Sequence, residues 1–174
     1  MLRAFIVLGS VTALTLSLVA ARPAPPILGP GAVIDMQIKL LAALDAGDSK
    51  AVAEFVVDGD QPVSILTVDL AGRNVQAEGI DSARAGLMKL AQERRETGGT
   101  FASKLLKSQA DCSSERLSYG VFEYETTHTV GDKVTSQRFA ATTLAYWSKS
   151  GMRLLRMHVS ELSDEPTGFA KQGR

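Results

Sequence analysis

Side chains that carry readily recognised chemistry are scarce in this sequence. Its 174 residues include one cysteine, Cys112, one tryptophan, Trp147, and two histidines, His128 and His158. A lone cysteine excludes an intrachain disulfide, and Cys112 reads as a half-buried small residue at a strand end. Two histidines thirty residues apart, with no Cys/His/carboxylate cluster at ligand spacing, give no metal site. There is no G-x-S-x-G elbow, no P-loop and no dinucleotide fingerprint, so no cofactor is expected. Charge of one sign is also lacking. Nineteen Lys and Arg balance nineteen Asp and Glu, and nothing in that balance favours nucleic acid or an acidic surface as a partner. No internal repeat is present.

What the chain does have is an average globular composition, 45% apolar and 22% charged, at a length that suits one domain with a real core. The N-terminus stands apart. Arg3 supplies a short positive segment, Ala4 to Ala21 is an apolar run diluted by Gly9, Ser10, Thr12, Thr15 and Ser17, and Val19-Ala20-Ala21 offers small residues at a cleavage site. Residues 1–21 therefore read as a secretory signal peptide. The run is about 18 residues long, the lower limit for crossing a bilayer, so an uncleaved anchor is the competing reading. Residues 22–31 hold four prolines and form an extended linker. The folded domain is expected over 32–162 and a polar, frayed tail over 163–174. The expected location is the periplasm or the exterior, with no stable membrane insertion after signal cleavage.

Helices are expected first. Val33 to Ala46 carries apolar residues at Ile34, Ile38, Leu41 and Leu44, widened by Val33, Met36 and Leu40, and Gly47 stops it. Asp48 caps a short second helix bearing Val52, Phe55 and Val56. The cluster from Asp58 to Pro62 turns the chain, Val63 to Leu70 reads as a strand, and residues 71–74 turn again. A third helix begins near Asp81 or Ser82, with Ala83, Leu87, Leu90 and Ala91 inward, and ends at Gly98-Gly99. Four strands follow: Phe101–Ala110, Leu117–Thr129 with Gly120 as a bulge, Thr135–Trp147 and Met152–Glu161. Helices followed by an antiparallel meander define an α+β domain.

This order resembles the nuclear transport factor 2-like superfamily, its SnoaL-like branch most of all, over Val33 to Leu162. The segment that carries the resemblance is Gly151-Met152-Arg153-Leu154-Leu155-Arg156-Met157-His158-Val159-Ser160. It is similar to a family strand reading roughly Gly-x-Trp-Arg-Ile-Val-His-x-His-x-Ser, with Met152 in place of the tryptophan and Arg156 in place of the first histidine. Glu78-Gly79-Ile80-Asp81 is a weaker match. The resemblance implies a curled antiparallel sheet forming a cone with three N-terminal helices, a pocket inside it, and a homodimer through the outer sheet face. It does not imply one activity.

Alternation along the last strand places Leu155, Met157 and Val159 on one face and Leu154, Arg156, His158 and Ser160 on the other. Either the polar set lines a pocket and the apolar set a dimer interface, or the apolar set packs under the helices and the polar set is solvated. The resemblance favours the first, making Arg156, His158, Ser160 and Arg138 the expected ligand-binding residues. A buried Arg156 or Arg138 needs a carboxylate (Glu123, Glu125, Asp58 or Asp69) or an anionic ligand. Tyr124, Thr126 and His128 share one face of their strand, opposite Glu123 and Glu125. Ketosteroid isomerase-like members pair an acidic base with a tyrosine hydroxyl. By that resemblance His158, Asp58 or Asp69 are candidate bases, and Tyr124 or Tyr146 candidate donors. The expected function is binding of a small, partly apolar molecule, an anionic one where Arg156 or Arg138 lacks a carboxylate partner. The alternatives are an acid–base enzyme of isomerase, cyclase or hydrolase type in the same pocket, and a dimeric interaction module whose cavity is filled.

Overall fold

The computed structural model describes residues 29–58, 65–70 and 73–162. The segments expected as a signal peptide, most of the expected linker, the expected tail and most of the Asp58–Pro62 turn lie outside the described residues.

Helix α1 spans Gly31–Asp45 and buries Val33, Met36, Gln37, Leu40, Leu41 and Leu44. The inward stripe is rotated from the expected one, leaving Ile38 exposed. Gln37 takes the inward place because Thr143 donates a hydrogen bond to its Oε1 at 3.0 Å, which meets the cost of burying an amide. Gly47 ends the helix in the left-handed region, φ +63°, and Asp48 accepts from Lys50 N–H and Ala51 N–H to cap α2, Ser49–Ala53. Strand β1, Ile65–Leu70, is followed by a strand the pattern did not reveal, β2, Arg73–Glu78. Helix α3 spans Ile80–Thr97. Its N-cap is Gly79, not Asp81 or Ser82, and no side chain caps it. Ala83, Leu87 and Ala91 are buried as expected, while Leu90 is half-buried.

Strands β3 (Thr100–Cys112), β4 (Leu117–Val130), β5 (Lys133–Ser148) and β6 (Gly151–Leu162) form the antiparallel meander. The complete sheet runs β2-β1-β6-β5-β4-β3, with β1 parallel to β6. This corrects the expected cone. The sheet is mixed and open, and its edge strands β2 and β3 do not meet. The cause lies in the connection: α3 links those two edges, and 18 residues at about 1.5 Å each span roughly 27 Å. Nor are all helices N-terminal to the sheet, since the β1–β2 hairpin precedes α3.

The core lies between the helices and one sheet face, where Leu40, Leu87, Phe122, Ala141, Leu154 and Met157 belong to a single cluster. The chain leaving α2 is hooked to β6, with Leu154 N–H donating to Phe55 C=O at 2.6 Å. Gly120 is not a bulge, since its register with Ala110 and Thr143 is regular. Its role is close approach: a Cβ there would sit 2.3 Å from Phe122 Cζ. The irregularities fall at Leu106 in β3 and Leu155 in β6. Among the described residues no helix is long and apolar enough to cross a membrane.

Candidate functional site

Where the second half of α3 passes over the ends of β3 to β6, helix and sheet leave a hollow of about 590 Å³. Strand alternation supplies its walls. Tyr124, Thr126 and His128 face it from β4, Thr135, Gln137 and Phe139 from β5, and Met157, Val159 and Glu161 from β6. Each triplet steps by two residues, the period that keeps side chains on one sheet face. From the helices come Leu44, Leu90, Glu93, Arg94, Glu96 and Thr97, and Phe101 comes from β3.

A polar clasp closes one side. Arg94 donates to Asp45 Oδ1, which also accepts from Ser103 Oγ at 2.8 Å. Asp45 Oδ2 accepts from Ser103 N–H at 2.6 Å, and Ser103 Oγ is 2.8 Å from Thr126 Oγ1. Both charged groups are largely buried, where charge-assisted hydrogen bonds are strong. The Arg94 guanidinium also lies over the Phe101 ring, 5.2 Å from its centroid. The other face-to-face partner of Phe101 is His128, with ring centroids 4.1 Å apart and planes within 5°. His128 Nε2 is 2.8 Å from Gly98 C=O. A carbonyl only accepts, so Nε2 carries the hydrogen.

Tyr124 is the buried phenol of the hollow, stacked on Phe139 at 5.2 Å. Burial pushes its proton affinity well above the ordinary tyrosine range; nearby Arg94 opposes that shift and Asp45 adds to it. Its hydroxyl makes no hydrogen bond to any described residue. A protonated, unpartnered hydroxyl on the wall of a hollow with mixed apolar and polar lining is a ready donor or acceptor for a guest molecule.

Of the candidate catalytic and ligand-binding residues named from the sequence, Tyr124 alone lines this hollow. Arg156 and His158 are exposed on the opposite sheet face, and His158 Nε2 pairs with Ser160 Oγ at 2.9 Å. The apolar Met157 and Val159 hold the inward positions, so the solvated assignment of the polar set is the one realised. Leu155 is an extra residue in β6, and Leu154 therefore turns inward as well. Arg138 donates to Glu123, which also meets Lys107 at 2.7 Å. The Lys107 hydrogen bond holds the Glu123 carboxyl below the usual range, against the opposing pull of desolvation. Asp58 accepts from Arg84 at 3.3 Å. Tyr146 accepts from Arg116 at 3.1 Å. Asp69 is paired with Ser160 in the β1–β6 register, and its side chain lies outside the described residues. The Asp45–Arg94 clasp was not foreseen, because its partners are 49 residues apart and nothing local couples them.

No protein-family model matches the chain, and no curated protein matches it in sequence. Solved structures match its fold. A putative dehydratase from the NTF2-like family of Streptomyces avermitilis superposes with a TM-score of 0.63 at 12% identity, covering 77% of this chain and 96% of that one. An NTF2-like protein with a cystatin-like fold from Novosphingobium aromaticivorans gives 0.61 at 18% identity, covering 78% and 82%. A ketosteroid isomerase-like protein from Erwinia carotovora atroseptica gives 0.54 at 20%, covering 77% and 96%. The chain therefore has the fold of nuclear transport factor 2-like proteins. Identities this low define the fold alone.

Proposed function

We propose that this chain is an exported, SnoaL-like binding protein that holds a small, partly apolar molecule in the hollow between α3 and the sheet. The observation behind it is the hollow itself: about 590 Å³, walled by Phe139, Met157 and Val159, with the unpartnered Tyr124 hydroxyl among them. That volume and mix suit a ligand site. The binding set in this reading is Tyr124, Thr126, His128 and Gln137, replacing Arg156, His158, Ser160 and Arg138. The domain occupies 32–162, behind a cleaved signal of 21 residues and the linker, and pairs into a homodimer through the outer sheet face.

Native mass spectrometry of the chain from Arg22 onward, under gentle desolvation, tests this reading. The expected spectrum is a dimer carrying one small-molecule adduct per chain, lost in Val159→Trp, which fills the hollow. An adduct-free chain that also gains no thermal stability from a library of small apolar compounds overturns it.

A second reading, acid–base catalysis in the same hollow, draws on the Tyr124 phenol being kept protonated within the same walls as His128. It requires turnover that Tyr124→Phe lowers at least about a hundredfold, the usual scale for general acid–base catalysis.

A further inference from the structure

The charges around the hollow are unbalanced. Arg94 is the one Lys or Arg among the described lining residues, and Asp45 already neutralises it. Three carboxylates line the hollow: Glu93 and Glu96 on the last turns of α3, and Glu161 near the end of β6. Their partners leave their charge uncancelled. Lys89 is 3.9 Å from Glu93, with both side chains well exposed, a geometry that contributes little. Glu96 accepts from the neutral amide of Gln92 at 2.7 Å, and Glu161 from that of Gln137 at 3.2 Å.

The wall is different elsewhere. Phe139, Met157 and Val159 are buried and apolar, and Tyr124, 5% exposed, lies among them with its hydroxyl unpartnered. A hydroxyl that opens into the hollow with no protein partner is a hydrogen-bonding point that a guest can occupy. The hollow thus joins an apolar wall with one hydrogen-bonding point to acidic groups on α3 and β6.

We infer that the ligand is an organic cation: a compact apolar body set against Phe139, Met157 and Val159, carrying a protonated amine that faces Glu93, Glu96 and Glu161. This rests on the hollow being the binding site, and it replaces the anionic preference expected from Arg156 and Arg138. A carboxylate ligand would meet three like charges and a guanidinium already engaged. An ammonium ligand meets the attraction of three carboxylates, with the Arg94 charge offset by Asp45, and its entry is also favoured by the local field.

Three matched probes test the inference by titration calorimetry on the full mature chain at pH 7 and low salt: 3-phenylpropylamine, 3-phenylpropan-1-ol and 3-phenylpropanoate. The amine should bind at least about tenfold more tightly than the carboxylate, a difference of about 1.4 kcal/mol. The variant E93Q/E96Q/E161Q, altered only at the edge of the hollow, should lose that preference while its affinity for the alcohol stays within about twofold. Raised salt should shrink the preference in the wild type and leave the alcohol unaffected. Equal or tighter carboxylate binding, or a variant that keeps its amine preference, overturns the cation inference and leaves the binding site standing. Failure of all three probes at millimolar concentration overturns the binding site and the inference together.

Discussion

Tyr124 and Gly120 lie four residues apart on β4, and each makes a separate prediction. The Tyr124 hydroxyl opens into the hollow and has no protein partner to lose, so Tyr124→Phe should fold about as stably as the wild type at pH 7. The pH dependence follows from its proton affinity. In the unfolded chain a tyrosine ionises near pH 10, whereas burial keeps Tyr124 protonated in the fold. The unfolded state alone gains from ionisation above that pH, so stability is level below about pH 10 and falls beyond it. Tyr124→Phe should blunt the alkaline fall in urea midpoint, and parallel curves for the two proteins would sink this account. At Gly120 any Cβ meets the Phe122 ring. Gly120→Ala should cost about 1–3 kcal/mol, the range for overpacking a core, measured by chemical denaturation. The sequence marked Gly120 as special, but the bulge reading was wrong, because steric approach by a ring two residues away leaves no mark in local turn chemistry.

At the scale of elements, Asp45 is the joint among the end of α1, α3 and β3. Asp45→Ala removes the acceptor for Arg94 and for two groups of Ser103. A largely buried guanidinium is then left without its counter-ion, and the expected loss is about 3–5 kcal/mol. A loss under 1 kcal/mol in urea denaturation would show that the clasp is replaceable by water. Local signals were legible wherever the physics was local: Gly47 as a stop, Asp48 as a cap, the four long strands to within two residues. Strand β2 was not legible. Arg73-Asn74-Val75-Gln76-Ala77-Glu78 alternates only through Val75 and the small Ala77, a weak signal beside a turn, and β1 offers it an antiparallel partner. Alternation groups Tyr124, Thr126 and His128 on one face of β4 without saying which face is inward, and all three line the hollow. Glu93, Arg94 and Glu96 leave no mark in the buried stripe of α3, because the side of the helix that carries them only meets the strands after folding.

Among the described residues, a single open sheet has a helix-covered side and a bare side. The bare side exposes Tyr119 (40%) and Val121 (48%) beside the Lys107–Glu123–Arg138 ion cluster. If the proposed homodimer forms there, Val121→Glu should convert it to a monomer in sedimentation experiments while leaving the melting profile of the chain's fold cooperative; an unchanged mass would place the contact elsewhere. Which residues belong to which side was the least legible property of all, since it depends on a single position. Leu155 is a surplus residue that β6 absorbs without a partner on β5. Strike it out and Met152, Leu154, Met157 and Val159 fall into an unbroken every-other-residue series, so deleting Leu155 should leave a folded protein with its hollow intact. Deleting Thr142, in the regular stretch of β5, has no such slack and should turn half a strand inside out. The two one-codon deletions, compared by circular dichroism and by ligand uptake, would reveal a strand that carries its own spare tooth.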